Sequence, residues 1–242
     1  MSMPIKLLFT SLLVFFLTSE INAQNFYKER IPRPYTVSLY GGPASMYTDN
    51  GGPYRDLNFP IFGSFALAGE KKITSRVNFR ATLGYQHVSS NKEYNANQAF
   101  QWGEDNKAYA FQGDAFYIDF SPVFYFIPYP SHVMRPRVNG YAGIGLGYLV
   151  LPGQQAFATK DPNGDPKLSV IDITNSTIYL PIRLGGSMAF GSNWDIGFEG
   201  SLFASFSDEL DGNAGTNQTN DLFMQANFFV KHYISPFPFW KK

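Results

Sequence analysis

From Tyr35 onward, apolar and polar residues alternate with a period of two in eight separate stretches. The third stretch is the clearest. Val77, Phe79, Ala81, Leu83 and Tyr85 fall on one side, and Arg76, Asn78, Arg80, Thr82, Gly84 and Gln86 on the other. Side chains on a strand point alternately to opposite faces, so this pattern predicts a strand with one apolar and one polar face. Its length, about ten residues, is what a tilted strand needs to cross a bilayer. The same reading applies to Tyr35–Tyr40, Ile61–Ala68, Phe116–Phe126, Val138–Tyr148, Thr177–Met188, Trp194–Leu202 and Leu222–Lys231. Pro122 and Pro181 lack a ladder donor, which predicts a bulge or break in their own strands.

The connections support a closed ring. Those around Lys71–Thr74 and Gly191–Asn193 are short, and Ile127–Pro136 is somewhat longer and Pro-rich. Tyr47–Asn58, Ser89–Asp114, Leu151–Asn175 and Ser205–Asn220 read as long loops. Short links alternating with long ones are expected of a barrel with tight periplasmic turns and extended outer loops. The polar face carries mid-strand charges with Gly and Ser, a poor wall for an apolar ligand cavity but a good filling for a narrow barrel. Tyr35, Tyr85, Phe116, Phe126, Tyr148 and Trp194 sit near the segment ends, where an interfacial aromatic girdle belongs. The expected fold is therefore all-β: an eight-stranded antiparallel transmembrane barrel with a polar, plugged lumen.

The N-terminus adds a compartment. Lys6 precedes an apolar run of eleven residues, Leu7 to Leu17, and a short polar stretch ends at Ala23. The run is too short to span a bilayer and reads as a cleaved signal peptide, residues 1–23. A periplasmic segment 24–33, a barrel 34–234 and a periplasmic tail 235–242 are expected to follow. The absence of Cys excludes a lipobox and disulfides. A net charge of zero offers no electrostatic grip on nucleic acid. Outer-membrane lipid is the expected surrounding, and no small-molecule substrate is evident.

Candidate chemistry is sparse. Arg76, Arg80, Arg183, Asp119, Asp195 and Glu199 are expected to face the lumen and pair into a network, because isolated charges there would be costly. A plug that holds strand register fits them better than a selectivity filter, since eight strands leave little room for a pore. Of three histidines, His87 beside Ser89 and Ser90 is the one plausible base. Spacing identifies no third group to orient it, so no catalytic site is expected. His132 falls in a turn and His232 near a strand end. Asp161, Asn163, Asp165 and Asp172 echo positions 1, 3, 5 and 12 of a calcium loop, but Pro166 replaces the glycine of position 6. A turn-rich surface loop is the better reading, and no metal or cofactor is expected.

The C-terminal third carries a more distinctive pattern. It combines Trp194, Gly197 and Glu199 in one strand, Phe206, Asp208 and Asp211 in the following loop, and Asp221 ahead of the last strand. This resembles the PorG-like outer-membrane barrels of Bacteroidota, associated with the type IX secretion system; Gly41, Gly42, Tyr47 and Asp49 match more loosely. The resemblance implies a non-enzymatic scaffold whose periplasmic side binds ring components similar to PorK and PorN. Asn25–Arg33, Ile127–Pro136 and Ser235–Lys242 would form that surface. The alternative is a free-standing OmpX- or OmpA-like barrel whose outer loops bind ligands or cells. Without the resemblance, Asp208 and Asp211 read as turn caps, and Glu199 as a cross-strand partner of Arg183.

Overall fold

The computed structural model describes residues 32–47, 60–90, 96–160, 166–213 and 220–235. The expected signal peptide, Asp49, the Asp161–Asp165 cluster and the tail beyond Ser235 lie outside them. The strands are β1 (Tyr35–Tyr47), β2 (Phe62–Lys72), β3 (Val77–Ser89), β4 (Ala110–Tyr125), β5 (Val138–Ile144), β6 (Leu146–Lys160), β7 (Pro166–Phe190), β8 (Trp194–Ser205) and β9 (Leu222–Ile234). Among the described residues an α-helix, α1 (Ala96–Glu104), precedes β4, and a short 3-10 turn (His132–Met134) precedes β5.

Every pairing is antiparallel between chain neighbours, and β9 pairs with β1, so the sheet closes on itself. β5 and β6 are halves of one strand: both lie between β4 and β7 in an unshifted register on either side of Gly145. The ring thus has eight strands. Closure leaves no unpaired edge, the condition for a sheet to cross lipid.

The two faces separate as the alternation requires. Leu39, Phe65, Leu83, Phe116, Phe120, Leu184 and Phe198 are exposed on the outside, while Arg80, Asp119, Tyr141, Tyr179 and Lys231 are buried inside. An apolar exterior around a polar interior is the reverse of a water-soluble core and marks a lipid-facing wall. From Phe116 to Phe126 the wall spans about 25 Å, at a rise of roughly 3.3 Å per residue and a tilt near 40°. This matches the apolar band of a transmembrane barrel.

Two sequence expectations need correction. Leu151–Asn175 is not a loop: β6 and β7 stay paired from Leu151↔Asn175 out to Lys160↔Pro166, forming a hairpin that projects past the apolar band. Beyond the lipid its outer side no longer has to be apolar, and its inner side packs on α1 and on the Leu210–Asp211 segment through a mixture of apolar and polar residues, so no hydrophobic period marks it. The Ser89–Asp114 stretch likewise holds α1 and the first residues of β4.

The prolines also behave differently. β4 and β7 run through Pro122 and Pro181 without a bulge. The interruption lies in the strand between them, at Gly145. Alternating hydrogen bonds place the missing donor of Pro181 opposite the Gly145 carbonyl and that of Pro122 opposite the Ile144 carbonyl. Both gaps fall on adjacent residues of one strand. The Gly145 N–H still reaches the Pro181 carbonyl at 3.1 Å.

Candidate functional site: the lumen, its two ends and the outer rim

Inside the barrel six charges form a chain of alternating sign: Lys231, Glu70, Arg80, Glu199, Arg183, Asp119. Each is 4% exposed or less. Glu70 receives the Arg80 Nε–H at 2.9 Å, the Tyr125 hydroxyl at 2.9 Å, the Asn78 amide at 2.9 Å and the Lys231 ammonium at 3.3 Å. Arg80 turns its Nη1 to Glu199 at 2.5 Å, where the Tyr141 hydroxyl also donates at 2.7 Å. Arg183 links Glu199, at 3.4 Å, to Asp119. The Tyr179 hydroxyl donates to Asp119 at 2.8 Å. Three cations balance three anions, and each carboxylate has a hydrogen-bonding tyrosine. Such complete pairing is what permits charges in a water-poor interior.

The tyrosines reach the network because small residues face them. Tyr117 lies across Gly84, Tyr141 across Gly185 and Tyr179 across Gly147, each pair being direct cross-strand neighbours. A side chain at any of these glycines would meet the ring. Above the charges, Gln225 joins Tyr117, Gln86 and Asn227, and Asn227 accepts from Ser64. Each of the six charges has an oppositely charged partner within the network.

Of the charges expected in the lumen, Arg80, Asp119, Arg183 and Glu199 belong to this chain. Asp195 is buried but lies apart, at the end with the short turns. Arg76 is exposed: the Thr74 hydroxyl accepts the N–H groups of Arg76 and Val77, turning the chain before it enters the wall. The Arg76 guanidinium lies over the outer Phe124 ring, 5.9 Å from its centroid. Glu70 and Lys231 are additional members. Both lie on the inward parity of their strands, and extending the second stretch from Ala68 to Glu70 would have included the first.

Arg135 organises the short-turn end. Its Nε donates to Asp195 at 2.7 Å, and its Nη atoms donate to the carbonyls of His132, Ser192, Gly191 and Trp194. The Tyr233 hydroxyl completes Asp195 at 2.8 Å. His132 is buried in this cluster, where the Arg33 N–H donates to its Nδ1 at 3.3 Å. Tyr129 packs here as well, and burial, with the nearby Glu70 charge, pushes its hydroxyl pKa up to about 12.

The residues resembling the PorG-like pattern serve both ends and the middle. Trp194 stacks on His232 at the short-turn end, 4.1 Å between ring centroids. Gly197 leaves room for the Phe229 ring. At the other end Leu210 is fully buried, in the same apolar cluster as Leu151, Phe203 and Phe223. Asp221 holds it by accepting the Leu210 N–H at 2.9 Å. Asp211 caps the adjacent turn through the Asn213 N–H at 2.9 Å, and its carbonyl accepts the Gln155 amide. Asp208 is half-buried in this segment and Phe206 is exposed.

The outer wall holds a separate polar group. Tyr85 and Phe116, with ring centroids 5.4 Å apart, end the apolar band. One row further out, His87 Nδ1 lies 2.8 Å from Asp114 Oδ1, which also accepts the Tyr85 hydroxyl at 2.8 Å. Asp114 is thus a third group that spacing could not identify, because it falls where a loop is expected from sequence. His87 and Asp114 are direct partners across β3 and β4.

No protein-family model matches the chain, and no curated protein matches it. Solved structures do. Neisserial surface protein A aligns over 83% of this chain and 97% of its own, with a TM-score of 0.51 at 14% identity. The fold is that of a small outer-membrane barrel. The attachment invasion locus protein Ail of Yersinia pestis covers 82% of this chain and 96% of its own, with a TM-score of 0.41 at 12% identity. Pseudomonas aeruginosa OprG covers 84% of this chain and 98% of its own, with a TM-score of 0.43 at 9% identity.

Proposed function

We propose that this protein resides in the outer membrane, passes nothing through its lumen and acts through the structure it carries outside the bilayer. The observation that carries the reading is the balanced charge chain across the lumen. A pore needs a wetted path with charges free to meet a solute; here each charge is already paired to the barrel wall. The paired β6–β7 hairpin and the Leu210 cap then supply an ordered surface for an external ligand, neighbouring cell or partner. Replacing the hairpin from Gln154 to Asp172 by a short turn leaves the membrane band intact. Surface binding by cells bearing this variant, measured against cells bearing the full chain, should fall to the level of cells lacking the protein. Undiminished binding would refute the reading.

A second reading is an attachment component of a secretion or envelope assembly, of the type IX kind. Its support is the resemblance of Trp194, Gly197, Glu199, Phe206, Asp208, Asp211 and Asp221 to the PorG-like pattern. The cluster that Arg135 ties together adds a firm surface at the short-turn end. Crosslinking in native outer membranes, followed by mass spectrometry of the captured proteins, should recover periplasmic ring components like PorK and PorN. Recovery of the barrel alone would eliminate this role.

A further inference from the structure

We infer that His87, Ser89 and Asp114 form an acyl-ester hydrolase site on the outer wall of the barrel, acting on lipid of the outer leaflet. Three features lie in succession along this end of β3, with Ser89 between the His87–Asp114 pair and the pocket. The first is the His87–Asp114 pair. A carboxylate on Nδ1 fixes the imidazole tautomer and orientation, leaving the Nε2 lone pair as the base. Tyr85 holds the same carboxylate oxygen, so the orienting group is itself anchored.

The second is the choice of hydroxyl. Ser89 is two residues beyond His87 on β3 and therefore shares its outward face. Ser90 is buried and its Oγ already accepts the Phe111 N–H at 2.8 Å. Ser89 Oγ makes only a local bond, to the Ser90 carbonyl at 3.2 Å, which a rotamer change releases.

The third is space at the nucleophile. A pocket of about 290 Å³ lies against Ser89, lined also by Tyr109, Phe111, Gln112, Gln154 and Val170. It opens where β3 ends while β4 continues against β6. Phe111, Ala110, Ala156 and Val170 offer apolar surface to an acyl chain, and Gln112, Gln154 and Gln155 offer polar groups to the ester end. Gln112 stands directly opposite Ser89 in the β3–β4 register; its amide donates one N–H to Gln154 Oε1 at 3.4 Å and keeps a second N–H that can face a developing oxyanion.

The location selects the substrate class. The site lies one row outside the Tyr85–Phe116 pair that ends the apolar band, at the depth where lipid ester carbonyls meet the headgroups. Ser89 Oγ attacks the ester carbonyl carbon while its proton moves to His87 Nε2. The carbon–oxygen ester bond breaks, and the departing alkoxide takes that proton. Water, deprotonated by His87, then attacks the acyl-serine carbonyl; the acyl–Oγ bond breaks, Ser89 Oγ takes the proton back from His87, and a fatty acid is released. Ser89 and His87 are the catalytic residues; Asp114 is a positioning residue.

The test uses the full chain folded in detergent, with its folded state verified by heat-modified gel migration. Purified lipopolysaccharide in mixed micelles and dilauroyl phosphatidylethanolamine vesicles are separate probes, and released fatty acid is read by mass spectrometry. Release from either supports the site, and the two probes identify the lipid class. Ser89→Ala and His87→Ala should each lower release by at least about 10²-fold. Asp114→Asn should lower it and also move the acidic limb of the pH–rate profile to lower pH, which a purely structural role would not do. A fluorophosphonate should label Ser89 in the wild type and not in Ser89→Ala. Folded wild type that releases no more fatty acid than Ser89→Ala, with Ser89 unlabelled, overturns the assignment.

Discussion

Arg183 grips Asp119 with two parallel hydrogen bonds, Nη1 to Oδ1 at 2.9 Å and Nη2 to Oδ2 at 2.6 Å, from strands that are not neighbours in the wall. The pair therefore bridges over the intervening β5–β6 strand on the inner side of the wall. It also ends the charge chain, so Asp119 has no second cation. Removing its charge with Asp119→Asn leaves the Arg183 guanidinium buried with the longer contact to Glu199 as its one ion pair, beside the neutral Ser121 hydroxyl. The expected loss is about 3–5 kcal/mol, the cost of breaking one side of a buried pair. Reversible urea unfolding in lipid vesicles measures it.

Removing the whole unit should cost less than removing half of it. In Asp119→Leu, Arg183→Met, Tyr179→Phe, no charge is left without a partner, because Glu199 keeps Arg80 and Tyr141. Apolar replacements of similar volume for buried ion pairs are often neutral or stabilising. The triple variant should be more stable than Asp119→Asn in the same unfolding assay. A larger loss would mean that the network contributes more than desolvation removes.

Conductance reports on the same chain of charges. The wild-type protein in a planar bilayer should carry no steady current, since an eight-stranded lumen is narrow and here is filled by side chains. Arg80→Ala with Glu199→Ala deletes the middle of the network together and should introduce discrete openings. A steady wild-type channel would overturn the sealed-lumen reading.

Glycine positions set a steric test. Tyr141 lies across Gly185 and reaches Glu199 only because that neighbour has no side chain. Gly185→Val should displace the ring and cost about 1–3 kcal/mol by overpacking. Tyr141→Ala in the same chain should recover part of that loss, and a double-mutant cycle measures the coupling.

The sequence makes the barrel legible where lipid touches it, because one lipid-facing side imposes a period of two. Val77 to Tyr85 is readable for that reason, and the hairpin from Leu151 to Asn175 is not. The same boundary hides Asp114, which lies just past the last lipid-facing aromatic, Phe116. Arg80, Asp119, Arg183 and Glu199 are readable as inward charges, but their order in the chain is not. Arg183 meets Glu199 on neighbouring β8, as the cross-strand reading expects, and also reaches Asp119 past the intervening strand, a partner that no nearest-neighbour register gives. Arg135 carries no periodic signal at all: it comes from an irregular connection and acts by donating to turn carbonyls.

The two prolines permit a test of the ladder itself. Pro122 faces lipid and places its missing donor opposite the Ile144 carbonyl, inside the apolar band. With no water there, an acceptor left without its ladder partner is costly. Pro122→Val keeps an apolar outer surface, suits a strand, and restores the N–H. A net hydrogen bond contributes about 0.5–1.5 kcal/mol, while the added freedom of the unfolded chain offsets about 0.4–1 kcal/mol of it. The low-dielectric surroundings favour the bond, so the variant should be modestly more stable, by up to about 1 kcal/mol. The amide restored by Pro122→Val should then be protected from hydrogen exchange to the degree of its neighbours on β4. Fast exchange there, with unchanged stability, would show that the strand around Gly145 stays open for a reason other than the missing proline donors.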